Sequence, residues 1–489
     1  MARIAVIGAG MGAMAAAARL AVAGHTVTVY ERGETHGGGV GRFARDGFVF
    51  DTGPQLLHLP AVYRDLFVKT GKESLEQSLG LTQVDPAGAH LFPDGTAFAL
   101  PNASRAGVVR ALDEAVGPGA GERWSDLVNR AREAWDATRR PLLEEPLSAD
   151  PAERAALARD PYPAPRRRGL FRRSAPATLA AVAERELRDP RLTALLESHA
   201  LAHGLDPRTA PASATVLPYL EQTFGSWYVA GGLRGLADAL HRRCVARRVE
   251  FRFGAEVTGV VEEDGRAAGV RLADGTVEEA AFVVSGAPDP ASAAPPRPGR
   301  FTVFLALRGG RAAGAVHRTV VHAPSRDREL AGVFDAAGTD YVPTVTVYRP
   351  DDPSVRPDDD HEAVTLTATV APHGRVDWTD GEVVAAFADR MLLAAEAAVP
   401  GLAGRVLWRE VRTPADTERV TGAPGGGVPA PALSGGEGAF LFPSNSGEMP
   451  GTYGVGGFAH PGGGLAHAGM SGALVAGLIV EGAGFRGSQ

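Results

Sequence analysis

The first thirty-one residues constrain this chain more than any other segment, because they spell one uninterrupted strand, turn, helix and strand. Ile4-Ala5-Val6-Ile7 predicts a buried strand, Gly8-Ala9-Gly10-Met11-Gly12-Ala13 the turn into an alanine-rich helix ending at Gly24, and Val27-Thr28-Val29-Tyr30 a second strand closed by Glu31. Gly8 permits the tight turn, Gly10 lets a pyrophosphate approach the backbone at the helix N-terminus, and a small Ala13 lets helix and strand pack closely. Glu31 stands where a carboxylate can accept both hydroxyls of an adenosine ribose, which favours FAD or NAD over a 2′-phosphorylated cofactor. A glycine fingerprint alone is a weak signal, whereas one in full βαβ context with its terminal acid is specific. No second glycine motif has that context, so one tightly held cofactor is expected rather than a relay from nicotinamide to flavin through two such units.

At 489 residues the chain exceeds one ordinary domain. Its 44% hydrophobic content and net charge of -7 describe a soluble globular protein without the basic excess that a nucleic-acid partner demands. Cys244 is the only cysteine, so no disulfide closes within the chain, a cysteine metal cluster is excluded, and a reducing cytoplasm is the expected compartment. No metal site is expected; Asp358-Asp359-Asp360 reads as a solvated acidic turn, because nothing nearby completes a ligand set. The apolar run at the N-terminus reads as strand and helix, not as a cleaved signal. Residues 462–480 carry no ionisable side chain except His467, but their Gly and Ala content predicts a buried helix rather than a membrane span.

Beyond Glu31, Phe48-Val49-Phe50 predicts a short strand ending in the Gly53-Pro54 turn. Residues 62–212 read as mostly helical, broken by proline-rich stretches, like an inserted helical region. Order returns at Ser226-Trp227-Tyr228-Val229, followed by a helix to about residue 247. Strand-like runs follow at 249–253, 257–262, 269–272 and 281–285, with an Asp274-Gly275 hairpin turn expected between the last two. Residues 288–298 read as a linker, 301–411 as a second mixed α/β stretch, 421–436 as a Gly/Pro loop, and 451–482 as glycine-rich strand and helix.

Together these segments resemble the bacterial phytoene desaturase family of FAD-dependent oxidoreductases, within the wider amine-oxidase-like flavoproteins. In that family the ribose acid is followed by five residues, Gly-Gly-Arg, seven residues, then Gly-Phe-x-Phe-Asp-x-Gly-Pro. This chain reproduces the spacing with Gly37-Gly38-Gly39 and Gly47-Phe48-Val49-Phe50-Asp51-Thr52-Gly53-Pro54, but Gly39 stands where the family has an arginine facing the cofactor phosphates, and Arg42 is the expected substitute. Tyr228-Val229-Ala230-Gly231-Gly232-Leu233 resembles the family's Tyr-Pro-x-Gly-Gly-Met. Val257 falls on the strand whose backbone meets the adenine, and Ser285-Gly286-Ala287 where a strand end passes the cofactor. Gly456-Gly457-Phe458-Ala459-His460-Pro461-Gly462-Gly463-Gly464 is similar to the family's segment at the flavin, whose following helix would stabilise the anionic reduced ring.

The resemblance implies an α/β fold with a Rossmann-type FAD-binding domain assembled from residues 1–70, 225–295 and 435–489. A mixed-sheet substrate domain with a helical lid would comprise 71–224 and 296–434. The residues expected at FAD are Gly8, Gly10, Met11, Gly12, Ala13, Glu31, Arg32, Gly38, Gly39, Arg42, Gly53, Pro54, Val257, Gly286, Gly457, His460, Gly462 and Gly463. His460 is the one candidate acid or base, with a structural role as its alternative; His58 has a weaker claim, and Asp51 is expected to fix its loop by backbone hydrogen bonds. The implied activity is desaturation of an apolar polyene or isoprenoid chain, with electrons passing from FAD to oxygen or a quinone. An amine or amino-acid oxidase is disfavoured because the only lysines are Lys69 and Lys72. An isomerase, a saturase or a non-redox prenyl carrier on the same scaffold stays open. Arg166-Arg167-Arg168-Gly169-Leu170-Phe171-Arg172-Arg173 has a composition suited to peripheral contact with an anionic membrane, or to a solvated loop.

Overall fold

The computed structural model describes residues 1–163, 177–288, 296–335 and 337–487. The basic run Arg166 to Arg173 and most of the expected linker at 288–298 lie outside the described residues.

The strand Arg3–Ile7 sits at the centre of a five-stranded parallel sheet. Thr26–Tyr30 and then Glu250–Arg252 lie on one side of it, Phe282–Ser285 and then Thr452–Gly454 on the other. Parallel strands are covered on both faces and therefore read as apolar runs. Here Ile4, Val6, Val27, Val29 and Val284 pack with the helices Met11–Val22, Ala61–Gly71, Arg234–Ala246 and Leu465–Glu481 in one core. Chain connections leave the central strand in opposite directions, which opens a crevice at the carboxyl edge of the sheet.

The second layer is a seven-stranded mixed sheet in the order Val406–Arg412, Gly299–Arg308, His361–Val370, Val345–Tyr348, Arg318–Val321, Gly88–Leu91, Ala97–Leu100. The helices Arg326–Phe334 and Gly381–Ala395 cover one face of it. A helical layer built from Arg105–Val116, Ala120–Arg139, Leu179–Leu187, Pro190–Ala202 and Val216–Phe224 forms its own core around Trp124, Leu127 and Leu195. Local chemistry starts these helices. Asp189 accepts the N–H groups of Arg191 and Leu192 ahead of Pro190, and Thr178 accepts that of Ala181.

Residues 62–212 are mostly helical, with an exception that their composition does not suggest: Gly88–Leu91 and Ala97–Leu100 form a hairpin across Pro93-Asp94-Gly95, and Leu81–Gln83 pairs with Ser226–Val229. The Asp94-Gly95 turn is the local signal for that hairpin. One expectation needs correction. The Asp274-Gly275 turn joins Arg266–Leu272 to the short strand Val277–Glu279, not to 281–285. Phe282–Ser285, apolar on both faces, goes to the parallel sheet instead.

Candidate functional site

The strand Arg3–Ile7 ends against Gly8, whose φ of 85° makes the turn, and Gly10 begins the helix Met11–Val22. No side chain caps that helix, so its first N–H groups are free for an anion. A Cβ at Gly10 would meet nothing within 4 Å, so the space in front of the first turn is open. Met11 and Ala13 are buried in the first turn, and Ala13 packs against Gly286, whose N–H donates to the Ile7 carbonyl at 2.8 Å.

Glu31 closes the second strand at the same edge. Its carboxylate accepts the Ala9 N–H at 2.7 Å on one oxygen and the Gly33 N–H at 2.8 Å on the other. A carboxylate has about four acceptor positions, so two remain for a ribose diol. Val257 is half-buried two residues beyond Ala255, whose N–H donates to the Glu31 carbonyl at 2.9 Å. Gly37 bridges to Gly10, which lays Gly38 and Gly39 beside the helix start with both exposed. Gly53 backs onto the Gly39 carbonyl, and Pro54 is exposed. Arg42 is exposed at the strand pair with Asp51 and forms no hydrogen bond among the described residues. Asp51 accepts the N–H groups of Leu233 and Arg234 at 2.6 and 2.9 Å, capping the helix Arg234–Ala246. Burial pushes its carboxyl up to about 6 against those bonds and the Arg42 charge.

The tail brings a second helix start to the crevice. A Cβ on Gly12 would lie 2.8 Å from the Gly456 Cα and 3.0 Å from the Ala468 carbonyl oxygen, and one on Gly472 would lie 2.7 Å from the Ala15 Cβ. These contacts step the same way along both helices, so Met11–Val22 and Leu465–Glu481 run parallel and open their N-termini on the same side. Gly464, at the second of those starts, is exposed.

Several expected cofactor residues are placed elsewhere. The Arg32 guanidinium donates to the carbonyls of Arg419 and Val420 at 3.2 Å, the orphaned acceptors at the end of the helix Pro414–Thr421. Gly12 serves the approach of the tail helix. Gly457, Gly462 and Gly463 are occupied on their open sides by the segment 429–432: Gly463 donates to the Ala430 carbonyl at 2.7 Å, and a Cβ at Gly457 would lie 2.6 Å from Pro429. His460 has no accessible surface, so its ring touches nothing in the crevice. Its Nε2 lies 2.9 Å from the Glu145 carbonyl, and burial holds its pKa down at about 4, so it is a neutral donor fastening the tail to the helical layer.

One ionisable group near the tail keeps accessible surface. His467 lies in the first turn after Gly464, keeps accessible surface, has no hydrogen bond among the described residues, and is held down at about 4 by burial. The sequence shows it as the only ionisable residue of 462–480, but not which way it faces. Lys69, by contrast, is on the surface 3.2 Å from Asp65, and Lys72 is exposed at the helix end.

A parallel sheet, a glycine turn, a carboxylate closing the second strand and a second helix start at the same edge define a dinucleotide-binding oxidoreductase fold. The chain belongs to the flavin containing amine oxidoreductase family, whose model matches residues 14–425. With its dinucleotide βαβ unit, the cofactor of this enzyme is FAD, and the open first turn and the two free acceptor positions on Glu31 fit it. The chain is 32% identical over 291 residues to a 4,4'-diapolycopene oxygenase of Methylomonas, covering 58% of this chain and 55% of that protein. It is 32% identical over 287 residues to a zeta-carotene-forming phytoene desaturase of Myxococcus xanthus, covering 58% and 53%. These alignments span about half the length of the two relatives. A neurosporene-forming phytoene desaturase of Rhodobacter capsulatus is 28% identical over 98% of this chain and 94% of its own. Among solved structures, an oxidoreductase of Methanosarcina mazei superposes with a TM-score of 0.64 at 16% identity, covering 97% of this chain and 99% of that one. Putrescine oxidase superposes with a TM-score of 0.64 at 15% identity, covering 98% and 99%.

Proposed function

We propose that this chain is an FAD-dependent desaturase that introduces C=C bonds into an apolar polyene or isoprenoid substrate. The observation that carries the reading is the crevice itself, where two parallel helices start over one ribose-positioned carboxylate, in a chain with a single dinucleotide fingerprint. When bound, FAD supplies the two-electron acceptor. Glu31 orients the ribose, the first turn after Gly10 receives the pyrophosphate, exposed Arg42 adds positive charge where the family arginine is missing, and the start of Leu465–Glu481 favours negative charge. In this reading residues 1–70, 225–295 and 435–489 hold the cofactor, and 71–224 with 296–434 hold the substrate. Carotenoid desaturases among the relatives support the substrate class. Oxygen or a quinone takes the electrons onward, and the protein works in the cytoplasm with peripheral contact to a membrane. No helix among the described residues is long and apolar enough to cross one.

The amine-oxidase alternative draws no support from Lys69 or Lys72, both at the surface. The test is anaerobic. Purified protein carrying non-covalent flavin is mixed with phytoene dispersed in detergent, or with NADH or NADPH. Bleaching of the oxidised flavin band by phytoene and not by the nicotinamides is the expected result. Rapid bleaching by NADPH sinks the desaturase reading in favour of a reductase, and protein that binds phytoene but no flavin indicates a carrier.

A further inference from the structure

The seven-stranded sheet has two unlike faces. Its register sets Thr302 opposite Thr367 and Thr367 opposite Thr346, and opposite residues share a face. The other face carries Phe301, Val303, Leu305 and Leu366 into the core beneath the helices Arg326–Phe334 and Gly381–Ala395. On the far side of that core, residues 324–328, residues 340–342 and Arg390 leave a pocket of about 340 Å³ between them. It shares no lining residue with the cofactor crevice.

The wall of this pocket carries more donors than acceptors. Arg390 donates to the Asp340 carboxylate at 3.3 Å, but that carboxylate is 99% exposed, and the Arg390 Nη1 is enclosed with no partner among the described residues. Arg328 is exposed on the pocket wall and its guanidinium has no hydrogen bond or ion pair among the described residues. Tyr341 is only 6% exposed, its ring held between the Gly332 backbone and Phe387. It still lines the pocket, and its hydroxyl has no hydrogen bond among the described residues. A phenol so deeply set ordinarily has a partner. The helix start itself is already satisfied, because the Ser325 hydroxyl accepts the Arg328 N–H at 3.4 Å. The two acids of the first turn are engaged elsewhere: Asp327 accepts from Arg326 at 3.2 Å, and Glu329 accepts the Thr344 hydroxyl at 2.8 Å.

Two guanidinium groups and a phenol therefore face one carboxylate, and the group that completes them is an anion. The planar forks of arginine match the oxygens of a phosphate. A volume of about 340 Å³ lies in the range of small-molecule sites, and Pro324, Val342 and the Tyr341 ring offer an apolar wall to the carbon that carries the phosphate. We propose that this pocket binds a small organic phosphate ester, its phosphate held by Arg328, Arg390 and the Tyr341 hydroxyl, at a site separate from the cofactor crevice. The ligand takes the place of Asp340 at Arg390, an exchange that costs little because an exposed ion pair contributes about 0–1 kcal/mol. A soluble phosphomonoester and a phosphatidate headgroup offer the same chemistry.

The test is isothermal titration of the FAD-loaded protein at constant ionic strength, with glycerol 3-phosphate and glycerol as probes. Flavin fills the crevice, so the helix start after Gly10 cannot answer for this pocket. Saturable binding of the ester at one site, and none of glycerol, is the expected result. Arg328 is exposed, so Arg328→Gln leaves the fold and the flavin content intact. It should weaken the ester about tenfold to a hundredfold, the range expected for one charge-assisted hydrogen bond. Tyr341→Phe should weaken it less, by about twofold to tenfold. No saturable binding of the ester by the wild type, or an affinity unchanged in Arg328→Gln, overturns the site. Flotation with phosphatidylcholine vesicles, with and without phosphatidate, distinguishes the two sources. Arg328-dependent flotation on phosphatidate places the bound phosphate on a lipid, and ester binding without flotation places it on a soluble molecule; both uphold the pocket.

Discussion

The Glu31 carboxylate has about four acceptor positions: one on each oxygen ties down the turn through Ala9 and Gly33, and the proposed ribose contact would use the other two. Removing it in Glu31→Ala should weaken FAD binding by roughly 2 to 4 kcal/mol, if each of two charge-assisted bonds contributes ~1.5 kcal/mol. Flavin fluorescence titration of the apoprotein measures this, and an unchanged dissociation constant would take Glu31 out of the site. Glu31 was legible because its position follows from strand, turn and helix lengths within one continuous segment. Asp51 was legible as a loop anchor because a buried acid before a Gly-Pro turn meets backbone N–H groups. Arg32 was not, since its partners are carbonyls 387 and 388 residues away. Nor could sequence separate His460 from His467: both lie in glycine-rich segments, and only tertiary packing makes one enclosed and leaves the other partly accessible.

At the scale of elements, the crevice depends on how closely two helices approach. Met11–Val22 and Leu465–Glu481 meet backbone to backbone at Gly12 and Gly472, where small residues leave no gap. Gly472→Leu must push the helices apart, because even its Cβ would sit 2.7 Å from Ala15 Cβ, from the Ala16 nitrogen and from the Gly12 oxygen. Overpacking of this kind costs about 1–3 kcal/mol, and here it also displaces the second helix start, so a lower melting temperature and loss of bound flavin are expected together. Gly404→Ala is the control, because its Cβ would meet nothing within 4 Å on the helix Leu402–Arg405, and Ala there is neutral or stabilising by up to ~1 kcal/mol. Flavin retained at the wild-type level in Gly472→Leu would show that the helix spacing does not govern the site. The apolar strands and this helix were readable from their runs. The hairpin 88–100 was hidden because its strands are four residues each and flanked by helical composition, and the unlike faces of the mixed sheet are visible in Thr365-Leu366-Thr367-Ala368-Thr369 only once the strand and its partners are known.

For the whole molecule, acid is the decisive stress, since many of its 13 histidines lie inside. His90 and His322 face each other with ring nitrogens 3.1 Å apart, and both are enclosed, as is His460. Burial holds His322 at about 3 and His460 at about 4, and His90 well below 6.5. A histidine whose folded pKa lies below its unfolded value is protonated first in the unfolded chain, so its contribution to stability is complete above about pH 6.5 and is lost as pH falls toward 4. At about 1.4 kcal/mol per unit, His460 alone accounts for roughly 3 kcal/mol by pH 4. Two carboxyls act the other way: burial raises Asp51 to about 6 and Glu329 to about 7, so each adds stability as pH falls through those values toward about 4, by a similar amount. Three enclosed histidines outweigh two carboxyls, and His203 and His467, also held down by burial, add to the same side. The urea midpoint should therefore fall between pH 7.5 and pH 5, and His460→Gln, which keeps a donor for the Glu145 carbonyl without the titration, should flatten that fall. A midpoint that stays level or rises on acidification would mean that these imidazoles are not held neutral by burial, and an unchanged slope in His460→Gln would relocate the effect to the other histidines.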